Sequence, residues 1–213
     1  MHCCPLCNAS PLQLYHQDKR REYLQCLRCD LVSVAPSYRL DAEAEKSIYD
    51  LHENHPSDPG YRQFLSRLFL PLNQRLLPDS SGLDYGCGPG PTLSLMLEEA
   101  GHRVALYDIF YHHNVSALSS VYDFITATEV IEHLYHPGDV WQQWLKMLKP
   151  GGYIGLMTKL VENQDAFSTW HYKNDLTHVS FFSQKTFRYL AERDKLEPEF
   201  IGRDVIILRK GLS

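Results

Sequence analysis

The chain has 213 residues, 44% of them hydrophobic and 22% charged, and a formal net charge of −5. This composition is that of an ordinary globular protein, and the length accommodates one medium-sized domain plus a small module. The negative balance excludes a global basic field, so a nucleic-acid partner is possible only through a local patch and is not favoured. No apolar run approaches the ~20 residues of a membrane span, and Met1-His2-Cys3-Cys4-Pro5 lacks an apolar leader, so a cytoplasmic setting without a membrane partner is expected.

Five of the six cysteines fall within the first 29 residues. Cys4-Pro5-Leu6-Cys7 and Cys26-Leu27-Arg28-Cys29 are two C-x2-C pairs with 18 residues between them, the spacing at which two tight knuckles close around one tetrahedral zinc. Cys4, Cys7, Cys26 and Cys29 are therefore the expected metal ligands. Four thiolates leave no open position for water, so this Zn2+ is expected to be structural. Residues 12–15 and 22–25 read as short strands around the charged turn Asp18-Lys19-Arg20-Arg21. The ribbon, residues 1–36, is too small to fold on apolar burial alone and needs its metal. The basic residues of its turn read as a solvated charge run.

A helical segment, residues 37–80, follows as a lid or linker. Residues 41–52 look helical, and residues 61–77 place Leu65, Leu68, Phe69, Leu72 and Leu76 on one face, with Pro71 as a possible bend. The polar, proline-broken loop between them suggests Tyr49, Asn54 and Tyr61 as ligand contacts.

The remainder, residues 81–213, reads as alternating strands and helices. Leu83-Asp84-Tyr85-Gly86-Cys87-Gly88-Pro89-Gly90 is a strand followed by a glycine-rich turn, and a helix follows from Pro91. In the dinucleotide fingerprint G-x-G-x-x-G the last glycine would fall on Pro91, which speaks against NAD or FAD. Residues 103–107 form the next strand with Asp108 at its tip, where a carboxylate can accept from ribose hydroxyls. Residues 122–126 form a buried strand, leading into Glu129-Val130-Ile131-Glu132-His133. A helix over residues 138–148, the turn Leu148-Lys149-Pro150-Gly151-Gly152 and a strand over residues 153–157 complete a doubly wound α/β pattern with right-handed crossovers.

This ordered set, spanning roughly residues 81–160, resembles the class I S-adenosylmethionine-dependent methyltransferases. The resemblance implies a Rossmann-like sheet of seven strands, the last antiparallel, with residues 198–209 supplying the final hairpin. It also implies S-adenosylmethionine as cofactor, held by Asp84, Gly86, Cys87, Gly88, Gly90, Asp108, Ile109, Phe110 and Glu129, with Tyr61 reaching in from the lid. Only 14 residues separate Asp108 from Asp123, so the third strand and its helix are expected to be trimmed to a loop.

Methyl transfer from a sulfonium needs alignment of donor and acceptor and removal of a proton. Residues 167–182 mix aromatics with His171, Asp175 and His178 where this fold overhangs its cofactor, which suits a small, flat or phenolic acceptor. His178 is the expected general base, with Asp175 or His171 orienting it, and Glu129 and His133 as alternatives facing the acceptor. Two other readings stay open: an inactive methyltransferase-like domain used by the ribbon as a binding module, and RNA or protein methylation recruited by the ribbon.

Overall fold

Two matching backbone knuckles organise the N-terminus of this computed structural model, which describes residues 2–51 and 55–212. In the first, the Asn8 N–H bonds the Cys4 carbonyl at 2.9 Å and the Cys4 N–H bonds the Ala9 carbonyl at 2.9 Å. In the second, the Asp30 N–H bonds the Cys26 carbonyl at 2.8 Å and the Cys26 N–H bonds the Leu31 carbonyl at 2.9 Å. Asn8 and Asp30 occupy the left-handed region at φ 58° and 65°, which short polar side chains tolerate best after glycine. Strands β1 (Leu12–Gln17), β2 (Glu22–Cys26) and β3 (Val32–Val34) form an antiparallel meander between and after the knuckles.

Helices α1 (Ala42–Tyr49) and α2 (Pro59–Asn73) each begin at an aspartate cap: Asp41 accepts from the Ala44 N–H at 2.9 Å, and Asp58 from the Gly60 N–H at 2.7 Å. The expected apolar face of α2 buries Leu65, Leu68 and Leu72, with Phe69 and Leu76 packed at its margin. The helix continues through Pro71 to Asn73. Asn54, expected as a ligand contact, lies outside the described residues.

The larger unit then runs β4 (Ser81–Tyr85), α3 (Thr92–Glu99), β5 (Arg103–Tyr107), β6 (Tyr122–Thr128), α4 (Pro137–Met147), β7 (Leu148–Met157), α5 (Gln164–Thr169), β8 (Ser180–Phe181), α6 (Gln184–Asp194), β9 (Leu196–Ile201) and β10 (Val205–Lys210). Its sheet has the order β5-β4-β6-β7-β10-β9, with β5, β4, β6 and β7 parallel and β10 antiparallel to both neighbours. The sheet therefore holds six strands among the described residues rather than the seven expected. The chain after β5 makes a tight loop closed by the Asp108 to His112 bridge and a short 3-10 turn, Val115–Ser119, and adds no strand at the β5 edge. The trimmed unit was legible in the short spacing; its consequence for the strand count follows from it.

Alternation along the strands fills two layers. Phe124, Met157, Val205 and Ile207 meet Leu65, Leu68 and Leu72 of α2 and Leu93, Met96 and Leu97 of α3 on one face. Ile125, Ala127, Ile154, Leu156, Ile206 and Leu208 meet Trp141, Trp144, Phe187 and Leu190 on the other. Gly155 leaves room for α2, since a Cβ there would stand 3.0 Å from Leu68 Cδ1. Truncating Leu68 to alanine in this packed seam would cost about 2–5 kcal/mol.

The ribbon is built into this unit. β3 pairs with β8, so a strand from the C-terminal half completes its sheet as β1-β2-β3-β8. The Gly138 N–H at the start of α4 bonds the Pro5 carbonyl at 3.1 Å, and a Cβ on Gly138 would stand 2.6 Å from the Leu6 carbonyl oxygen. Ser183, which caps α6 by accepting from the Thr186 N–H, donates its hydroxyl to Asp30 at 2.6 Å. No helix among the described residues is long and apolar enough to cross a membrane.

Candidate functional site

The turn after β4 stands beside the tip of β5, at the carboxyl ends of two neighbouring parallel strands, where α/β folds usually bind their ligands. Gly86 and Gly88 take φ of 72° and 64°, conformations that glycine reaches without strain. A Cβ at Gly86 would stand 2.6 Å from Val130, whereas one at Gly88 would meet nothing within 4 Å. Gly86 is thus required by packing and backbone together, while Gly88 faces open space. The turn is tied to β5 by the Gly86 N–H on the Tyr107 carbonyl at 2.7 Å and by the Gly88 N–H on Asp108 Oδ2 at 2.9 Å. Asp108 is buried, and its Oδ1 accepts from the Phe110 and Tyr111 N–H groups at 2.8 and 3.0 Å.

Beneath the turn, Asp84 is buried and accepts from the Thr126 hydroxyl at 2.8 Å; burial pushes its carboxyl up to about 7. Tyr61, in the first turn of α2, lies close enough to Asp84 and Glu129 that their charges add to the effect of burial, which pushes its phenol up to about 12. α1 closes the other side. Tyr49 packs its ring on Phe110 at 5.8 Å and on His133 at 5.2 Å, and the Tyr111 hydroxyl donates to Asp50 at 2.6 Å.

A second group of side chains gathers past the end of β6. Glu129 sits in the left-handed region at φ 53° with its N–H on the Met157 carbonyl at 2.8 Å, a strained place for a residue other than glycine. Glu132 is fully buried; the Tyr172 hydroxyl donates to its Oε1, and Glu129 Oε2 lies 3.3 Å from the same hydroxyl. Glu132 Oε2 has no hydrogen-bond partner among the described residues. Burial, and then the charge of Glu129, push the Glu132 carboxyl up to about 8. His178 is buried beside them, with Nδ1 2.7 Å from the Tyr172 carbonyl and its ring 4.6 Å from that of His133. Burial lowers the imidazole's affinity for a proton, so its neutral form is favoured, with the lone pair on Nε2. Asp175 Oδ2 lies 3.8 Å from that nitrogen, beyond a hydrogen bond, and its Oδ1 is held by the Thr177 N–H and hydroxyl.

The four thiols of Cys4, Cys7, Cys26 and Cys29 converge so that all their sulfurs lie within 4.8 Å of one another. Cys4 and Cys29 are 3.5 Å apart, as are Cys7 and Cys26, far beyond a disulfide's ~2.05 Å. Four sulfurs at ~2.3 Å from a zinc ion would stand about 3.8 Å apart, so the set fits a tetrahedral cation.

A family model described as a methyltransferase domain matches residues 55–197. The chain belongs to the methyltransferase domain family. In a ubiquinone biosynthesis O-methyltransferase of Pectobacterium atrosepticum, 80 residues are 34% identical, covering 38% of this chain and 33% of that protein. The protein of the same name from Vibrio cholerae is 31% identical over 78 residues, or 37% of this chain and 32% of its own length. The matched stretch thus spans about a third of these curated relatives. Among solved structures, the magnesium protoporphyrin IX methyltransferase of Synechocystis with bound S-adenosylmethionine superposes with a TM-score of 0.54 at 10% identity, covering 82% of this chain and 93% of that one. The 1,6-didemethyltoxoflavin-N1-methyltransferase of Burkholderia thailandensis superposes at 0.51 with 16% identity, covering 95% and 100%. At these identities the structural likeness establishes the fold.

Within the methyltransferase domain, the end of β4 and the tip of β5 bring together Asp84, Gly86, Cys87, Gly88 and Asp108, with Phe110 on Asp108 and Tyr61 near Asp84 and Glu129; Gly90 ends the turn, its carbonyl accepting from the Thr92 N–H at 2.7 Å. Ile109 is 67% exposed and stands at the rim. His133, His178 and Asp175 gather as one group, but His171 does not join them: it is exposed, its Nε2 3.0 Å from Lys159 Nζ. Sequence reasoning missed Tyr172, whose phenol reaches back 43 residues to Glu129 and 40 to Glu132, because nothing local distinguishes it from its aromatic neighbours. It also took Arg21 for part of a solvated turn. Arg21 is 3% exposed and bonds the carbonyls of Lys173, Asp175, Leu176 and His178.

Proposed function

We propose that this chain transfers the methyl group of S-adenosylmethionine to the hydroxyl oxygen of a small, flat or phenolic acceptor. The observation that carries this reading is the glycine turn at the end of β4. Gly88 offers open space in the left-handed conformation while its N–H is held by Asp108 at the tip of β5. The residues present suit the cofactor. Gly86 and Gly88 let the backbone approach its methionine part, and Asp108, with three of about four acceptor positions taken by backbone N–H groups, keeps one for a ribose hydroxyl. Phe110 and Ile109 border the place for adenine. The O-methyltransferase names of the curated relatives support an oxygen acceptor.

When bound, the cofactor supplies a methyl already activated on sulfonium; the chain has to hold the acceptor in line and ease the loss of its proton. Tyr61 and Tyr49 would cover the space beside Gly88 and Asp108 from the lid side. Activation of the acceptor hydroxyl falls to Glu132, His133 and His178, beside Glu129 and Asp175. The cysteine knuckles would hold a structural zinc whose ribbon braces residues 171–181. Incubation with isotopically labelled methyl donor and a panel of phenols and catechols, read by mass spectrometry, tests the proposal. Label on a phenolic oxygen is expected; absence of label from every phenol while an amine is methylated would refute the oxygen assignment.

A further inference from the structure

We propose that Lys159 and His171 form an anion-binding rim beside the acceptor cluster, and that the molecule to be methylated carries an ionised acidic group, a carboxylate or its like, which they hold. That the anion belongs to a methyl acceptor rests on the methyl-transfer reading; that the rim binds an anion rests on the placement of one ammonium.

Lys159 stands two residues past the end of β7, and its side chain is half-buried. Its Nζ lies 5.2 Å from the centre of the Tyr172 ring, and the hydroxyl of that same phenol donates to Glu132 and stands 3.3 Å from Glu129. The ammonium is near enough for its charge to act on Glu129 and on His178. Lys159 therefore belongs to the side of the domain where the acceptor hydroxyl is activated.

The neighbouring cations are already neutralised. Arg67, whose charge also acts on Glu129, is paired with Asp204 at 2.6 Å, and Lys173 is paired with Asp18 at 2.9 Å. Lys159 has no carboxylate within 4.0 Å among the described residues; its contacts are His171 Nε2 at 3.0 Å and the face of Tyr172. An ammonium set against an aromatic face and a neutral imidazole has given up part of its water without gaining a counter-charge. One of its three N–H groups goes to His171, which leaves donors for a carboxylate oxygen.

His171 finds a use here that its distance from His178 had denied it. The 3-10 turn His171–Asn174 carries it to Lys159, where it is exposed and holds the ammonium in place. Trp170, half-buried, packs its ring 5.0 Å from that of Tyr172. A flat acceptor with an acidic substituent thus meets aromatic surface and an uncompensated cation together. Lys159 selects and orients the acceptor; removal of the hydroxyl proton stays with the cluster around His178.

Calorimetric titration of the whole chain with caffeate and with its neutral methyl ester, S-adenosylhomocysteine present, tests the proposal, because the two catechols differ in one charge. At a partly exposed rim, wild type should bind caffeate about fivefold or more tightly than the ester. In K159M the two affinities should become about equal, and K159R should keep the preference. Equal affinities in wild type, binding of neither compound, or an undiminished preference in K159M overturns the proposal. A labelled-methyl assay on the same pair separates the two readings. A Lys159-dependent preference for caffeate with no label on either compound keeps the anion site and sinks phenolic methyl transfer. Label on both compounds with equal kcat/KM does the reverse.

Discussion

Arg21 Nη1 donates to the backbone carbonyl of His178 at 3.0 Å, joining the ribbon's hairpin turn to the loop that carries the second cluster. All five N–H groups of this guanidinium are used: Nε on the Tyr23 hydroxyl, Nη1 on Leu176 and His178, and Nη2 on Lys173 and Asp175. Asp18 completes the brace by accepting from Lys173 Nζ at 2.9 Å.

An ammonium has three donors in a different shape, so Arg21→Lys leaves at least two of these five acceptors without their partner. Each costs about 1–3 kcal/mol. Urea unfolding should show a loss of about 2–5 kcal/mol. Arg21 is a positioning residue, so kcat or the acceptor KM should worsen at least tenfold while S-adenosylhomocysteine affinity stays within about twofold. Equal losses in both affinities would mean that the brace serves only general stability.

Gly86 and Gly88 should respond differently to alanine. Gly86→Ala drives a Cβ to within 2.6 Å of Val130 in a left-handed backbone, so it combines overpacking, about 1–3 kcal/mol, with about 1 kcal/mol of strain. Val130→Ala should restore part of that loss. Gly88→Ala carries the backbone strain alone, because its Cβ enters open space, yet it should lower S-adenosylhomocysteine affinity at least tenfold. Thermal melts paired with calorimetric titrations distinguish the two.

Asp84 sets a pH dependence of stability. Its folded pKa, near 7, lies above the ~3.9 of an unfolded aspartate, so the folded state holds the proton more tightly. The neutral carboxyl's advantage is complete below about pH 4 and is lost as pH rises through 7, a change on the order of 4 kcal/mol. Asp84→Asn keeps a neutral acceptor for Thr126 and should gain relative to wild type as pH rises from 5.5 to 8. Parallel unfolding curves for the two proteins across that range would rule out a buried, raised Asp84.

Loss of the structural zinc proposed for the four cysteines should reach beyond the ribbon, because β8 and the Arg21 brace link that sheet to residues 171–181. Cys26→Ser should lower bound zinc from one per chain to near zero and abolish methyl transfer. Hydrogen exchange should quicken in residues 171–181 as well as in residues 4–34. Exchange confined to the ribbon would show that the two parts are mechanically independent.

What the sequence revealed and what it withheld divide along contact range. The glycine turn, the acid at the end of β5 and the β9 to β10 hairpin depend on neighbours a few residues away, and their patterns are complete in the local string. The paired knuckles were legible through cysteine spacing. Tyr172 on Glu132, Arg21 on the His178 carbonyl and β3 on β8 join residues 40 to more than 150 positions apart, and no periodicity marks them. His171 looked equivalent to His178 in the string; the 3-10 turn His171–Asn174 sends it outward, toward Lys159.

Methyl transfer depends most directly on the space beside Gly88 and Asp108 accepting a methyl-donor nucleoside. Calorimetric titration with S-adenosylhomocysteine and, separately, NAD+ measures this directly. One S-adenosylhomocysteine per chain is expected, with no heat from NAD+ and affinity lowered at least tenfold by Asp108→Ala. Silence with S-adenosylhomocysteine, or equal binding of both nucleosides, would contradict it.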